Sequence, residues 1–265
     1  MSHFPKKWKF KKTTKFLQQK KLCNTLHIIG SCTTVSEALL KIKRTKREIS
    51  KIEQRTKGQS EEGCNWFYYR SGILTGTSVY RAYHAMLKGK ESAILNKAIS
   101  KRVSTQLHYP AIVFGRDNEK NCRQAFYNHM KTIDRGFQLH CKGLKIEEDG
   151  YIGGSVDDIC SHSSGERCVV EYKCSYKLRD SSVKEGGHLL PYLTPDLGLN
   201  KNHRYYFQLL TYMYLWNVDS AYFVVYTPKD ILVLKTDFDE QFWGKILSEA
   251  FQYYKQFYLP SLISG

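Results

Sequence analysis

The chain has 265 residues, 42% of them hydrophobic and 14% aromatic, with 41 basic against 25 acidic side chains and a formal net charge of +16. That is enough chain for one large folded domain with a full apolar core, and the aromatic content excludes a disordered polymer. No run approaches the roughly 18 apolar residues of a transmembrane helix, and no apolar segment follows the basic N-terminus as a secretory signal requires.

Basic charge on a folded domain favours a polyanionic partner, nucleic acid first and a membrane surface second. Eight cysteines without a Cys-x-x-Cys pair read as reduced thiols of an intracellular protein, nuclear or cytoplasmic. A disulfide set or a zinc site is the lesser reading.

Residues 1–33 carry Lys6-Lys7, Lys11-Lys12 and Lys20-Lys21 among scattered aromatics. They read as a basic extension that touches nucleic acid, serves as a nuclear address or only aids solubility, ahead of a single domain over 34–265. Apolar residues at helical spacing from Val35 to about Arg55, with Thr34 or Ser36 as cap, predict a surface helix. After a break at Lys57–Ser60, Arg70 leads into Ser71-Gly-Ile-Leu-Thr-Gly-Thr-Ser78 and a helix over about Val79–Met86. The free amides of such a Thr/Ser-rich helix start suit a phosphate, and ordinary N-capping explains the same residues. A short helix, Ser92–Lys101, precedes the Tyr109-Pro110 breaker.

A longer helix follows, about Ile112 to Ile133, whose apolar stripe Cys122, Ala125, Phe126, Met130 and Ile133 projects back onto Glu119. A carboxylate on an inward stripe must find a cation or donors. Phe137–Glu148 predicts a strand. Two apolar runs, Tyr151–Cys160 and Cys168–Ser175, flank the polar link Ser161–Glu166 and predict a β-hairpin. Alternation along the second strand puts Glu171 and Lys173 on one face and Val170 and Tyr172 on the other, with Asp157 on the neighbouring strand. An acid, an ammonium and an opposed aspartate suit a divalent metal and phosphodiester cleavage. A solvated Glu-x-Lys face and a turn Asp-Asp are the bland alternative.

Tyr176–Lys201, rich in Gly and Pro, predicts a substrate-facing loop. His203–Asn217 is a buried helix with Gln208 on the Tyr205–Leu209–Tyr212 stripe, aimed at the active centre or satisfied within the core. Strands at Ser220–Thr227 and Asp230–Lys235 and a helix from about Glu240 to Tyr258 complete the chain.

The order helix-Glu, strand-Asp, strand-Glu-x-Lys, helix-Gln resembles the restriction-endonuclease-like, PD-(D/E)XK nuclease core. In detail it looks like the lambda exonuclease or YqaJ-type viral recombinase branch. The matching pieces are Arg55-Thr-Lys-Gly-Gln59, Trp66 and Arg70–Thr77, then Phe114–Glu119 with Arg123. Gly154-Ser-Val-Asp157, Glu171-Tyr-Lys173 and Tyr206-Phe-Gln208 with Met213 follow. Val156 and Asp158 depart from the family's Ser-Pro-Asp-Gly, which leaves two aspartates competing for one place. Asp157 is favoured because Ser155 then stands two before it.

The resemblance implies an α/β (α+β) fold with a central mixed sheet flanked by helices and a helical N-terminal extension. It implies Mg2+ (Mn2+ as substitute), one or two ions, on Asp157, Glu171 and the Tyr172 backbone carbonyl, with Glu119 at a second or outer position. Lys173 would orient or deprotonate water, Gln208 would hold the arrangement, and Arg70, Ser155 and either Thr77 or Ser78 would grip a 5′-phosphate. The implied activity is 5′-to-3′ exonucleolysis of linear double-stranded DNA in recombination, repair or replication. The implied partners are a single-strand annealing protein and copies of the chain in a ring of three. Rival readings are an endonuclease or single-strand-preferring nuclease on the same core, and a DNA-binding module whose nuclease centre is vestigial.

Overall fold

The computed structural model describes residues 22–58, 65–100 and 109–263. Most of the basic segment at 1–33 lies outside them, but Leu22–Thr33 carries helix α1 (Thr25–Ile29), which buries Thr25, Leu26 and Ile29 against the rest of the fold. The single helix expected over 35–55 is two: α2 (Val35–Lys41) and α3 (Lys46–Arg55). Thr45 breaks them apart, because its amide and hydroxyl are taken by Glu48 in a capping box that starts a new helix. Three helices follow: α4 (Trp66–Arg70), α5 (Gly76–Leu87) and α6 (Ala93–Ile99). Next comes the long α7 (Pro110–Ile133), with proline at its first position, where no intrahelical N–H is needed.

The strand expected over 137–148 is reduced to β1 (Gln138–His140) and β2 (Lys145–Ile146). The predicted run Tyr151–Cys160 is interrupted. β3 (Gly153–Gly154) pairs with β2 in a separate ribbon, and only β4 (Asp158–Ser161) enters the main sheet, antiparallel to β5 (Arg167–Cys174). Asp157 therefore stands in the break between two strands rather than on a strand. Tyr176–Lys201 is not a free loop: it contains the short α8 (Val183–Gly186), and Leu178, Val183, Leu190 and Leu193 are buried in the main core. Its apolar residues outweigh the Gly and Pro that suggested exposure.

Helix α9 (Arg204–Trp216) ends on Asn217 in the left-handed region (φ 50°), a conformation asparagine tolerates well. It is the crossover that makes β6 (Ser220–Tyr226) parallel to β5, and β7 (Ile231–Asp237) returns antiparallel beside β6. The sheet runs β1-β4-β5-β6-β7. Helix α10 (Glu240–Tyr253) and the turn after it bury Trp243, Ile246, Tyr253, Tyr254 and Tyr258.

Alternation divides the sheet cleanly. Val170, Tyr172, Tyr222 and Val224 face α7 through Cys122, Phe126 and Met130. Val169, Ala221, Phe223 and Val225 belong to the larger core shared with α5, α9 and α10. The fold is a mixed α/β architecture with a central mixed sheet between helical layers. Among the described residues no helix is long and apolar enough to cross a membrane.

Candidate active site

Glu171 lies on the α9 face of β5, 3% exposed. Burial of a carboxylate at that level demands partners, and two are present on one oxygen. The Lys173 ammonium, two residues along on the same face, contacts Glu171 Oε1, and Gln208 Nε2 donates to it at 2.8 Å. Gln208 also donates to the Tyr212 hydroxyl at 2.7 Å, one helical turn on, so both amide hydrogens are held. The other oxygen, Glu171 Oε2, is buried and has no hydrogen-bond partner among the described residues.

Asp157 reaches this group from the strand break. Its Oδ2 accepts the backbone N–H of Tyr172 at 2.7 Å. The N–H and C=O of one strand residue leave on the same edge, so the Tyr172 carbonyl faces the Asp157 side as well. Burial, and after it the charge of Glu171, raise the Asp157 pKa well above the usual carboxylate range. Glu119 is raised too, by desolvation and then by Glu171. Glu119 does lie one turn before Cys122 on α7, as the stripe predicts. It is nevertheless exposed rather than buried, and feels the charges of Glu171 and Lys173.

Lys173 experiences opposed effects. Burial lowers its pKa, but Glu171, the Tyr205 ring 4.3 Å from Nζ and Asp157 outweigh it, and the net shift is upward. The amine is an ammonium ion in this arrangement.

Asp158 is a different residue in every respect. It is fully buried on the α7 side, where Arg123 Nε and Nη2 donate to its two oxygens at 2.6 and 3.1 Å and the Tyr172 hydroxyl donates at 2.9 Å. Its hydrogen-bonding capacity is used by a structural ion pair. Of the two competing aspartates, Asp157 is the one facing Glu171 and Lys173.

The upstream block is fastened to the same place. The stretch before α5 forms a parallel bridge with the strand leading to Asp157: Leu74 N donates to Tyr151 O at 2.7 Å, and Gly153 N to Leu74 O at 2.9 Å. Trp66 Nε1 donates to Ser155 Oγ at 2.7 Å, and the Arg70 guanidinium stacks 3.9 Å from the centre of the Trp66 ring. Arg70 is desolvated, which lowers its pKa, and among the described residues no carboxylate opposes that shift. Arg70, Thr77, Ser155, Asp157 and Gln208 line one cavity of about 190 Å³. Thr77 and Ser78 separate here: the Ser78 hydroxyl accepts from Thr75 N at 2.6 Å and donates to Thr75 O at 2.9 Å, capping the helix, while Thr77 is exposed in the cavity.

A larger cavity, about 670 Å³, adjoins it and adds Arg81, Arg204, Tyr205 and Lys173. Sequence reasoning passed over Arg81 and Arg204 as possible contacts. The signal was there for Arg81, one helical turn after Thr77, and for Arg204, one turn before Gln208.

The donor set fits a hard divalent cation. Asp157, Glu171, Glu119 and the Tyr172 carbonyl offer only oxygen, which suits Mg2+ or Mn2+ over zinc. The orphaned Glu171 Oε2 and the mutual repulsion that raises Asp157 and Glu119 are both relieved by positive charge at that point.

A sequence model of the viral alkaline exonuclease matches residues 6–178, which takes in Arg70, Glu119, Asp157, Glu171 and Lys173. The chain belongs to the viral alkaline exonuclease family. Within and around that family, it is similar to the alkaline nuclease of Autographa californica nuclear polyhedrosis virus, 24% identical over 229 residues. That alignment takes in 76% of this chain and 49% of the relative, so the chain spans about half the length of the curated relative it matches.

Two solved structures share the fold. An alkaline exonuclease from Laribacter hongkongensis superposes with a TM-score of 0.53 at 17% identity, covering 76% of this chain and 94% of its own. The Shutoff and Exonuclease Protein of Kaposi's sarcoma-associated herpesvirus gives 0.54 at 11% identity, covering 89% and 79%. Gln208 lies beyond the stretch matched by the family model, and its bond to Glu171 ties α9 to the rest of this family member's acidic cluster.

Proposed function

We propose that the chain is a Mg2+-dependent deoxyribonuclease that degrades one strand of linear duplex DNA from its 5′ end, with Mn2+ as a substitute ion. Asp157, Glu171 and the Tyr172 carbonyl would hold the metal, with Glu119 at a second or outer position. Once bound, the cation lowers the pKa of its water and neutralises charge building on the scissile phosphate. Lys173, as an ammonium ion beside Glu171, would orient the attacking water and offset negative charge. Lys173 and Gln208, the latter oriented by Tyr212, keep Glu171 Oε1 occupied, so that Oε2 would stay free for the metal. Arg70, stacked on Trp66, is a desolvated cation awaiting an anion, and with Thr77 and Ser155 it would grip the terminal 5′-phosphate. Ser78 is assigned the cap instead.

The single observation carrying this reading is the juxtaposition of a partnerless Glu171 Oε2 with the Asp157 carboxylate beside Lys173. The test is digestion of end-labelled linear duplex and of nicked circles with Mg2+, reading polarity and product length together. The expected result is mononucleotide-scale release from 5′-phosphorylated linear ends, with 5′-hydroxyl ends slower and that preference lost in Arg70→Ala. Internal fragments at equal rates from both substrates would replace the exonuclease by an endonuclease on the same core. A ring of three copies around the duplex, and cooperation with a single-strand annealing protein, belong to the same reading.

A further inference from the structure

The closed end of the β4–β5 hairpin holds three side chains that the nuclease reading does not use. Cys160 and Cys168 are partners across the two strands, both fully buried, and His162 opens the loop joining them. Two sulfurs and one ring nitrogen lie within 4.8 Å of one another. Tetrahedral zinc with Zn–S bonds of about 2.3 Å sets its sulfurs roughly 3.8 Å apart. Closing this group onto an ion therefore needs a contraction of about 1 Å at most.

The imidazole is oriented for the purpose. Asp134 Oδ2 accepts from His162 Nδ1 at 3.2 Å, the arrangement of a carboxylate behind a metal-bound histidine. Nε2 then carries the ring's lone pair and accepts from the Tyr222 hydroxyl at 3.2 Å, a bond that a metal ion would displace. Asp134 is itself fixed by the hydroxyl and amide of Ser163 and the amide of Gly136, which lower its pKa to about 2. Small-hydrophobe behaviour of cysteine would explain two buried thiols. It does not explain a carboxylate-oriented imidazole with a ring nitrogen within 4.8 Å of both sulfurs.

We propose that Cys160, His162 and Cys168 bind Zn2+, with water in place of the fourth protein ligand that closes a purely structural site. The two thiols release their protons to solvent as the thiolates bind. The site would pin the register of β4 against β5 at the end opposite Asp157 and Glu171; a slip of one residue would turn every side chain of one strand to the other face. It also revises the reading of these cysteines as plain reduced thiols. The two sulfurs come from facing strands, so no Cys-x-x-Cys spacing along the chain marks them.

The test uses Co2+ as the probe, added to the full chain under reducing conditions. Thiolate-to-cobalt charge-transfer absorption should saturate at one equivalent and be displaced by Zn2+. It should persist in Glu171→Gln, because the oxygen ligands of the nuclease centre give no such band, so the two sites fail or succeed separately. Cys168→Ala should abolish the band. His162→Gln, which leaves both cysteines and their packing in place, should weaken Co2+ binding at least about 10-fold. No charge-transfer band in the parent chain, or an unchanged band and affinity in His162→Gln, overturns the proposal.

Discussion

Asp157 and Asp158 are adjacent in sequence and opposite in circumstance, which makes them the sharpest pair to compare. Asp157 is held in an electrostatically unfavourable group, so Asp157→Asn should lower cleavage by on the order of 10²-fold or more, while leaving the melting temperature of the metal-free protein level or slightly higher. Asp158→Asn removes a partner from Arg123 and alters the bond from the Tyr172 hydroxyl at a fully buried position. It should cost about 1–3 kcal/mol of stability, with Mg2+-dependent cleavage retained in the folded fraction. Rate and denaturation measurements on both variants decide the matter, and the reverse pattern would move the metal ligand by one residue. Lys173→Met should slow turnover by about 10²–10⁴-fold while leaving duplex binding in a shift assay near that of the parent. Asp158 also marks a limit of the sequence: its ion pair with Arg123 joins residues 35 apart, and no local pattern distinguishes a buried structural aspartate from a ligand.

At the scale of elements, the site depends on how closely α5, β3 and α9 approach one another. A Cβ on Gly76 would sit 2.7 Å from Gln208 Cγ and 3.0 Å from its Cα, and one on Gly154 would sit 2.6 Å from the Tyr212 ring. Both glycines thus set the position of the Gln208 amide that holds Glu171 Oε1 and of the Tyr212 hydroxyl that accepts from that amide. Gly76→Ala should destabilise the protein by about 1–3 kcal/mol and reduce kcat in the folded fraction, because α9 must move away and take Gln208 with it. A kcat equal to the parent's would mean that the Gln208–Glu171 bond plays no part in turnover. The hairpin, the sharing of a face by Glu171 and Lys173, and the inward aim of Gln208 were legible because periods of 2 and 3.6 residues fix side-chain direction. The break at Ser155–Asp157 was not: the apolar run reads continuously through it, and only the transfer of pairing from β2 to the main sheet interrupts the strand. The packing of Tyr176–Lys201 escaped notice for a related reason, since four buried leucines and valines are spaced too irregularly there to show a period.

For the molecule as a whole, the raised Asp157 carboxyl links stability to pH. Burial and then Glu171 make the folded, metal-free protein hold that proton to a higher pH than the unfolded chain, whose aspartates titrate near about 3.9. This contribution favours the folded state below that range and is lost as pH rises toward the folded-state pKa. A cation takes the proton's place, so the gain in melting temperature on adding Mg2+ should grow with pH in the parent and stay small and flat in Asp157→Asn. A gain that shrinks as pH rises would contradict the assignment. The net charge of +16 and the cluster of Arg70, Arg81, Arg204 and Lys173 around one opening were visible at different levels. Composition announced the polyanion, but only the tertiary packing of α4, α5, β5 and α9 brings those four cations together.

The most direct measurement is a crystal of the full chain soaked in Mn2+, read by anomalous scattering. The account predicts an ion at about 2.0–2.3 Å from an Asp157 oxygen, Glu171 Oε2 and the Tyr172 carbonyl, with Lys173 alongside. An ion bound instead to Asp158, or an Asp157–Glu171 pair left without one at saturating Mn2+, would contradict it.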